Sequence, residues 1–281
     1  NQDGNSVLHN ITRDGGAPGG GTAGGGGAIQ LKTETASRTI TQTGSTVLFA
    51  RGGTVGTNDG SLKIDATGAV TLTEANNVGT LAGSLSDLGA DLSYTDATGL
   101  TVGSVAAAGT GAANVGAKTG LVTNGGDVTL SATGTLTVSN VITATPTSGT
   151  TAAERKGGTV FLTAGDAITV DAQITTTGQA TNANTTAETA GAGGEVLIHH
   201  TTTTANKAIT LNAGIVASGG ASAESGDTGG AGAVVTLRNQ DGNIVLHNIT
   251  SDGGAPGGGT AGVGGAIHLK TETESRTIPQ T

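Results

Sequence analysis

The chain is 281 residues long, carries a formal net charge of −9 and contains no cysteine. Disulfides and thiolate metal sites are therefore excluded, and nucleic acid and anionic membrane are disfavoured as partners. Glycine supplies 52 residues while Phe, Tyr and Trp together supply three (Phe49, Tyr94 and Phe161), yet 34% of the chain is apolar and falls in short alternating runs, which favours an ordered fold over disorder.

In chain order, the first 43 residues, NQDGNSVLHNITRDGGAPGGGTAGGGGAIQLKTETASRTITQT, return at residues 239–281 with six differences. Between the two copies a shorter unit recurs. Its first half is Ile29/Leu31. Fuller copies follow at Leu62/Ile64 with Val70/Leu72, and at Leu92/Tyr94 with Leu100/Val102. Next come Val128/Leu130 with Leu136/Val138 and Ile142, then Val160/Leu162 with Ile168/Val170 and Ile174. Val196/Ile198 pairs with Ile209/Leu211 across an insertion, Val235/Leu237 with Ile244/Leu246, and Ile267/Leu269 starts the last unit. The first anchors are 33, 30, 36, 32, 36, 39 and 32 residues apart.

Period-2 pairs of Val, Ile, Leu and Thr describe strands with one buried face. Gly-Gly before most first strands breaks the preceding element and permits positive φ. No segment shows a helical period with caps. A unit of three short strands cannot bury its own apolar face, whereas stacked units bury a continuous column. The sequence therefore predicts an all-β, single-stranded parallel β-helix (a β-solenoid) of about eight coils of ~34 residues. One continuous segment spans residues 1–281, in which 1–238 form a long repeat of seven coils and 239–281 start the next. The two copies should superpose by a shift along the stacking direction plus a modest twist. A Greek-key sandwich is the rival fold, and it would use two-residue hairpins rather than a fixed three-strand period. The Gly-rich connections, such as 15–27, are expected to be variable loops on one edge.

GAVTLTEANNVGTLAGSL, LSYTDATGLTVGSV, GGDVTLSATGTLTV and SRTITQTGS resemble the repeats of filamentous-haemagglutinin-like giant bacterial surface adhesins. The resemblance covers almost the whole chain and bears on architecture. It implies a right-handed β-helix, export through the cell envelope, and a role as a surface stalk, adhesin or filament. The family's secretion domain, with its Asn-Pro-Asn signatures, is absent from this sequence.

Sites of chemistry are sparse. G-x-G-x-x-G occurs at Gly19–Gly24 and Gly257–Gly262, but a strand rather than a helix follows, so a dinucleotide cofactor is not expected. Lys118-Thr119 has Ala117 where a phosphate loop needs Gly. His199 and His200 point to opposite faces of a strand and should not chelate together, while His9 and His247 are one position in the two copies. Asn10, Asn184 and Asn248 head glycosylation sequons of the kind a Thr/Asn-rich chain acquires by chance. Asp91 and Asp127, just before two adjacent anchors, are weak metal candidates, with solvated carboxylates as the plainer reading. Between the anchor residues the outward row runs Gln30, Lys63, Ser93, Thr129, Phe161, Leu197, Thr236, His268, which makes Phe161 and Leu197 the lateral-contact candidate, covered by a loop or by a partner.

The expected function is that of a non-enzymatic structural or adhesive segment of a very long secreted protein at the bacterial surface. Its expected partners are further copies of the same repeat along the axis, with lateral self-association or cell-surface glycans beside them, and neither nucleic acid nor membrane insertion. A polysaccharide-acting β-helix enzyme or carbohydrate-binding module is the alternative, disfavoured by one Tyr, no Trp and scattered basic residues. An ice-binding solenoid would need Thr-x-Thr at the same outward position on every coil, and the outward row above does not show it.

Overall fold

The computed structural model describes residues 4–17, 22, 24–53, 59–107, 115–182, 187–203, 206–273 and 276–280. The described residues are all-β: no helix occurs, and almost every strand pairing is parallel. A nine-stranded sheet is made by Ser6–Leu8, Ile40–Gln42, Val70–Asn76, Leu92–Asp96, Val128–Ala132, Val160–Ala164, Val196–His200, Val235–Asn239 and Ile267–Thr271, in that spatial order. We call it the first ladder.

The thirteen-stranded sheet holds two further ladders. The second is Leu100–Val102, Leu136–Val138, Ile168–Val170, Ile209–Leu211 and Ile244–Val245. The third is Leu121–Asn124, Ile142–Thr143, Ile174–Thr175, Ile215–Val216 and Ile249–Thr250. From Leu92 onward the chain visits first, second and third ladder in turn and then begins again. The strand Thr80–Leu88 joins the two later ladders, pairing through Thr80 and Leu81 with Leu100–Val102 and through Gly83–Leu88 with Leu121–Asn124. On its other side it takes Ser61–Ala66, which in turn takes Ala28–Lys32.

Register explains burial. Val128 lies between Leu92 and Val160, and Leu130 between Tyr94 and Leu162, all fully or nearly fully buried. The alternation runs buried–half-buried–buried along each of these strands, as a strand with one face in a core requires. Small aliphatics suffice because each inward side chain packs against its own equivalents above and below.

Glycine before the strand has a different cause from the one the sequence suggested. A Cβ on Gly126 would overlap the carbonyl oxygen of Ala90, one on Gly158 that of Gly126, and one on Gly194 that of Gly158. Of these neighbours only Gly125 has positive φ, at 77°. Close approach of stacked backbones, rather than φ, selects Gly there.

The register also departs from the predicted one near the N-terminal end. Leu62 pairs with Ile29 and Leu81, and Leu92 pairs with Val70, so the anchors Leu62 and Leu92 are not neighbours. Pattern alone could not separate two similar V-x-L strands lying eight residues apart. The outward row of the first ladder is consequently Val7, Thr41, Thr71, Ser93, Thr129, Phe161, Leu197, Thr236 and His268, without Gln30 or Lys63. Lys63 is in fact buried, its ammonium bonded to the carbonyls of Ala106 and Val115, and burial pulls its pKa down. An antiparallel pair, Ser104–Val105 with Lys118–Thr119, interrupts the coil between Leu92 and Val128 and was not foreseen.

The Gly-rich connections are ordered where they are described. Backbone hydrogen bonds run between arms, from Gln179 N–H to Arg155, Gly220 to Gly191 and Gly254 to Gly230, and across each arm, from Gly191 to Gln179, Gly230 to Gly220 and Gly262 to Gly254, at 2.8 to 3.0 Å. Polar groups of loop backbone need partners, and here each arm supplies them to the next. The absence of side chains permits the approach, since a Cβ on Gly191, Gly230, Gly254 or Gly262 would overlap a neighbouring carbonyl.

Candidate functional site

The outer wall of the first ladder carries the sequence-derived candidates. Phe161 and Leu197 are register partners on adjacent strands, both half-buried. They form one apolar step between Thr129 and Thr236, on a row whose other members apart from Val7 are polar. Beside them His199 sits between Thr163 and Arg238. Burial, with the positive charge of Arg238 second, lowers the His199 pKa.

His200 points the other way. It is fully buried, its Nδ1 2.9 Å from Asn239 Oδ1 and its Nε2 3.1 Å from the Thr202 hydroxyl. The two histidines lie on opposite faces, as strand alternation demands. The same inward position holds Asp96 in an earlier coil, where four donors surround the carboxylate: Val78 N–H, Thr98 N–H, the Thr98 hydroxyl and the Tyr94 hydroxyl, at 2.7 to 3.0 Å. Burial nevertheless raises its pKa. These polar groups close the corner after the first ladder and belong to the core.

Asp91 and Asp127 are brought together, but as backbone acceptors. Asp91 Oδ1 accepts the Asp127 N–H at 2.8 Å, and Asp127 Oδ1 accepts the Thr159 N–H at 2.6 Å. Each exposed carboxylate thus caps the strand start of the next coil, which relieves the repulsion expected of stacked acids. Among the described residues no group of three or more His, Asp or Glu side chains is placed to hold a metal ion.

The second G-x-G-x-x-G, starting at Gly257, turns at Gly258 (φ 124°) and leads into the strand Ile267–Thr271. Most of the first copy of this motif, and the sequon at Asn184, lie outside the described residues. Lys118-Thr119 is a strand whose lysine bonds Asp65 and Ser84, both at 2.6 Å, so no backbone loop is cradled around it.

Two features escaped the sequence reading. One is a brace across the Gly-rich arms: buried Arg155 pairs with Glu188 at 2.6 Å, and buried Asp227 accepts from the Thr181 hydroxyl and the Glu188 N–H. These residues are 33 to 46 positions apart, and no motif links them. The other is a threonine column on the second ladder. Thr80, Thr101, Thr137, Thr169 and Thr210 occupy one outward register position on consecutive strands. Aligning the I-T-V strands, rather than the V-x-L strands alone, makes that column legible. No protein-family model, curated protein or solved structure matches this chain.

Proposed function

We propose that the chain is a stretch of right-handed, single-stranded parallel β-helix serving as a structural and adhesive segment of a long bacterial surface protein or extracellular filament. The observation that carries this reading is the repeated coil. The chain passes first, second and third ladder in a fixed order, and the opening segment of the molecule is rebuilt 238 residues later with the same internal hydrogen bonds, Ser6 N–H to Thr39 and Ile244 N–H to Thr277. Parallel strands joined by crossovers are right-handed in about 98% of cases, which sets the proposed hand. Among the described residues Ser6–Leu8 and Ile267–Thr271 each pair on one side only, and a parallel strand edge of this kind can accept a further coil. The likeness of the repeats to haemagglutinin-like adhesins supports export and a place at the cell surface. Further copies along the axis, and glycans or sister filaments at the side, are the partners this reading assigns.

Its test is length. Coils stack at about 4.8 Å, so each added 238 residues should lengthen the particle by roughly 35 Å. Electron microscopy of chains with one, two and three long repeats should show rods of constant width growing by that step. Globules growing in all dimensions would end the reading. For adhesion, Phe161→Ser with Leu197→Ser should reduce lateral bundling or binding to glycan-coated surfaces without shortening the rod.

The threonine column favours a second reading, binding to ice, because it sets hydroxyl and methyl groups at regular intervals along a sheet. A thermal-hysteresis measurement decides it: no hysteresis at millimolar protein disposes of that reading.

A further inference from the structure

We infer that successive long repeats are turned about the stacking direction by one of its three sides, so that a 238-residue repeat is seven coils plus one ladder step rather than seven coils. The inference rests on the β-helical reading above and concerns how the repeats are phased within it.

The two copies build the same coil. Ser6 N–H reaches Thr39 at 2.8 Å, and its equivalent Ile244 reaches Thr277 at 3.1 Å. Gly27 N–H reaches Arg13 at 2.7 Å, and Gly265 reaches Ser251 at 2.7 Å. Gly24 N–H reaches Gly16 at 3.0 Å, and Gly262 reaches Gly254 at 3.0 Å. The side chain of Asn5 accepts from Thr39 N–H at 3.1 Å, and that of Asn243 from Thr277 N–H at 3.0 Å.

Their places in the stack nevertheless differ. Ser6–Leu8 lies on the first ladder, paired with Ile40–Gln42, whereas Ile244–Val245 lies on the second, paired with Ile209–Leu211. Ala28–Lys32 belongs to the thirteen-stranded sheet through Ser61–Ala66, whereas Ile267–Thr271 lies on the first ladder against Val235–Asn239. The chain returns to the first ladder at Ile40, Val70, Leu92, Val128, Val160, Val196 and Val235, which completes seven coils from Ser6. The opening sequence then restarts at Ile244, one ladder further on. The two copies therefore superpose only with a turn about the axis, not by the shift and modest twist that the sequence suggested.

A lateral feature held once per long repeat would accordingly face three directions in three successive repeats. The apolar step of Phe161 and Leu197 is such a feature. A fibre phased in this way offers its contact surface all round, and a partner such as a sister fibre can approach from any side. Repeats of seven whole coils would confine the same surface to one stripe.

The absence of native cysteine makes the phase measurable by disulfide trapping in the full chain. Adjacent parallel strands place register partners about 5 Å apart, within the Cα range of a disulfide. Ser61→Cys with Thr80→Cys, and Thr71→Cys with Ser93→Cys, are register partners and should cross-link on mild oxidation. Ser61→Cys with Asp91→Cys would be partners only if Leu62 stacked on Leu92, and should stay reduced. A cross-link at 61/91 overturns the inference and leaves the β-helix standing. Failure of all three pairs overturns the parallel stacking on which the inference rests.

Discussion

The first and second copies of the 43-residue segment are the most informative comparison in the molecule, because nearly one sequence occupies two surroundings. In the first copy Ile29 is 3% exposed and Ile40 1%; their equivalents Ile267 and Ile278 are 45% and 38% exposed. Nothing in the side chains explains this. Ala28–Lys32 and Ile40–Gln42 are each covered by a following strand, Ser61–Ala66 and Val70–Asn76, while no described strand pairs with the far edge of Ile267–Thr271. The two segments make the same hydrogen bonds, whereas burial of their apolar face depends on the strand that follows.

The sharpest way to break the comparison is to charge the same position twice. Ile29→Asp puts an unpaired carboxylate in the column and should cost about 3–5 kcal/mol, a fall in Tm of many degrees. Ile267→Asp should cost less than about 1 kcal/mol. Equal losses in thermal melts would mean that the two copies share one environment after all.

Glycine sharpens it from the other side of the coil. A Cβ on Gly262 would overlap the Gly230 carbonyl of the preceding arm, but one on Gly24 meets nothing nearer than Gly16 N at 3.1 Å. Gly262→Ala should therefore destabilise by about 1–3 kcal/mol and loosen the arm packing, while Gly24→Ala should be close to neutral. Denaturant midpoints of the two variants, measured side by side, report the difference.

How much of this was legible beforehand follows from what each signal depends on. The coils from Leu92 onward were readable because V-x-L and I-T-V recur at nearly fixed offsets, and alternation assigns their faces. The N-terminal coils were misregistered because both Leu62/Ile64 and Val70/Leu72 satisfy the same pattern, and only cross-strand packing chooses between them. The Gly-rich arms read as variable loops on one edge, and their close packing was not legible because composition cannot show that Gly191, Gly230 and Gly262 meet backbone from a neighbouring arm. Phe161 and Leu197 were placed side by side correctly by spacing, whereas the brace of Arg155, Glu188 and Asp227 has no local signature. Asp91 and Asp127 were legible as neighbours, but their use as caps depends on side-chain geometry.

A smaller effect should be equal in the two copies. Asn5 and Asn243 each accept one backbone N–H across a coil, from Thr39 and Thr277. Asn5→Ala and Asn243→Ala should each cost about 0.5–1.5 kcal/mol, whatever the burial beyond. A large inequality in their melting temperatures would show that the coil is not rebuilt in the same way.

The smallest expected effect is one of pH, and it belongs to the first copy. Asp14 accepts the guanidinium of Arg51 at 2.7 Å and the Arg51 N–H at 3.0 Å, so that the arm at Gly15 is tied to the next coil. The hydrogen bond from the Arg51 side chain is the main reason that the Asp14 carboxyl titrates below its usual value of 3.8. A depressed carboxylate stabilises only while ionised. Its contribution is complete above the unfolded value, near pH 4, and is lost as pH falls through the lower folded value. The pair is partly exposed, so the amount is at most about 1 kcal/mol and should shrink with added salt. Hydrogen exchange should show it locally. Protection at Gly15 and Arg51, corrected for intrinsic exchange, should fall as the pH is taken below about 4 in the native chain and lose that dependence in Asp14→Asn. At the second copy Asp252 stands in the place of Asp14, and the Asp252 N–H is held instead by the Ser218 hydroxyl of the preceding coil at 3.2 Å. Since a serine hydroxyl does not titrate, protection at Asp252 should stay level over the same range. A parallel acid-induced loss at both copies would mean that the stack loosens as a whole, and that the contact between Asp14 and the following coil is not what holds the first arm.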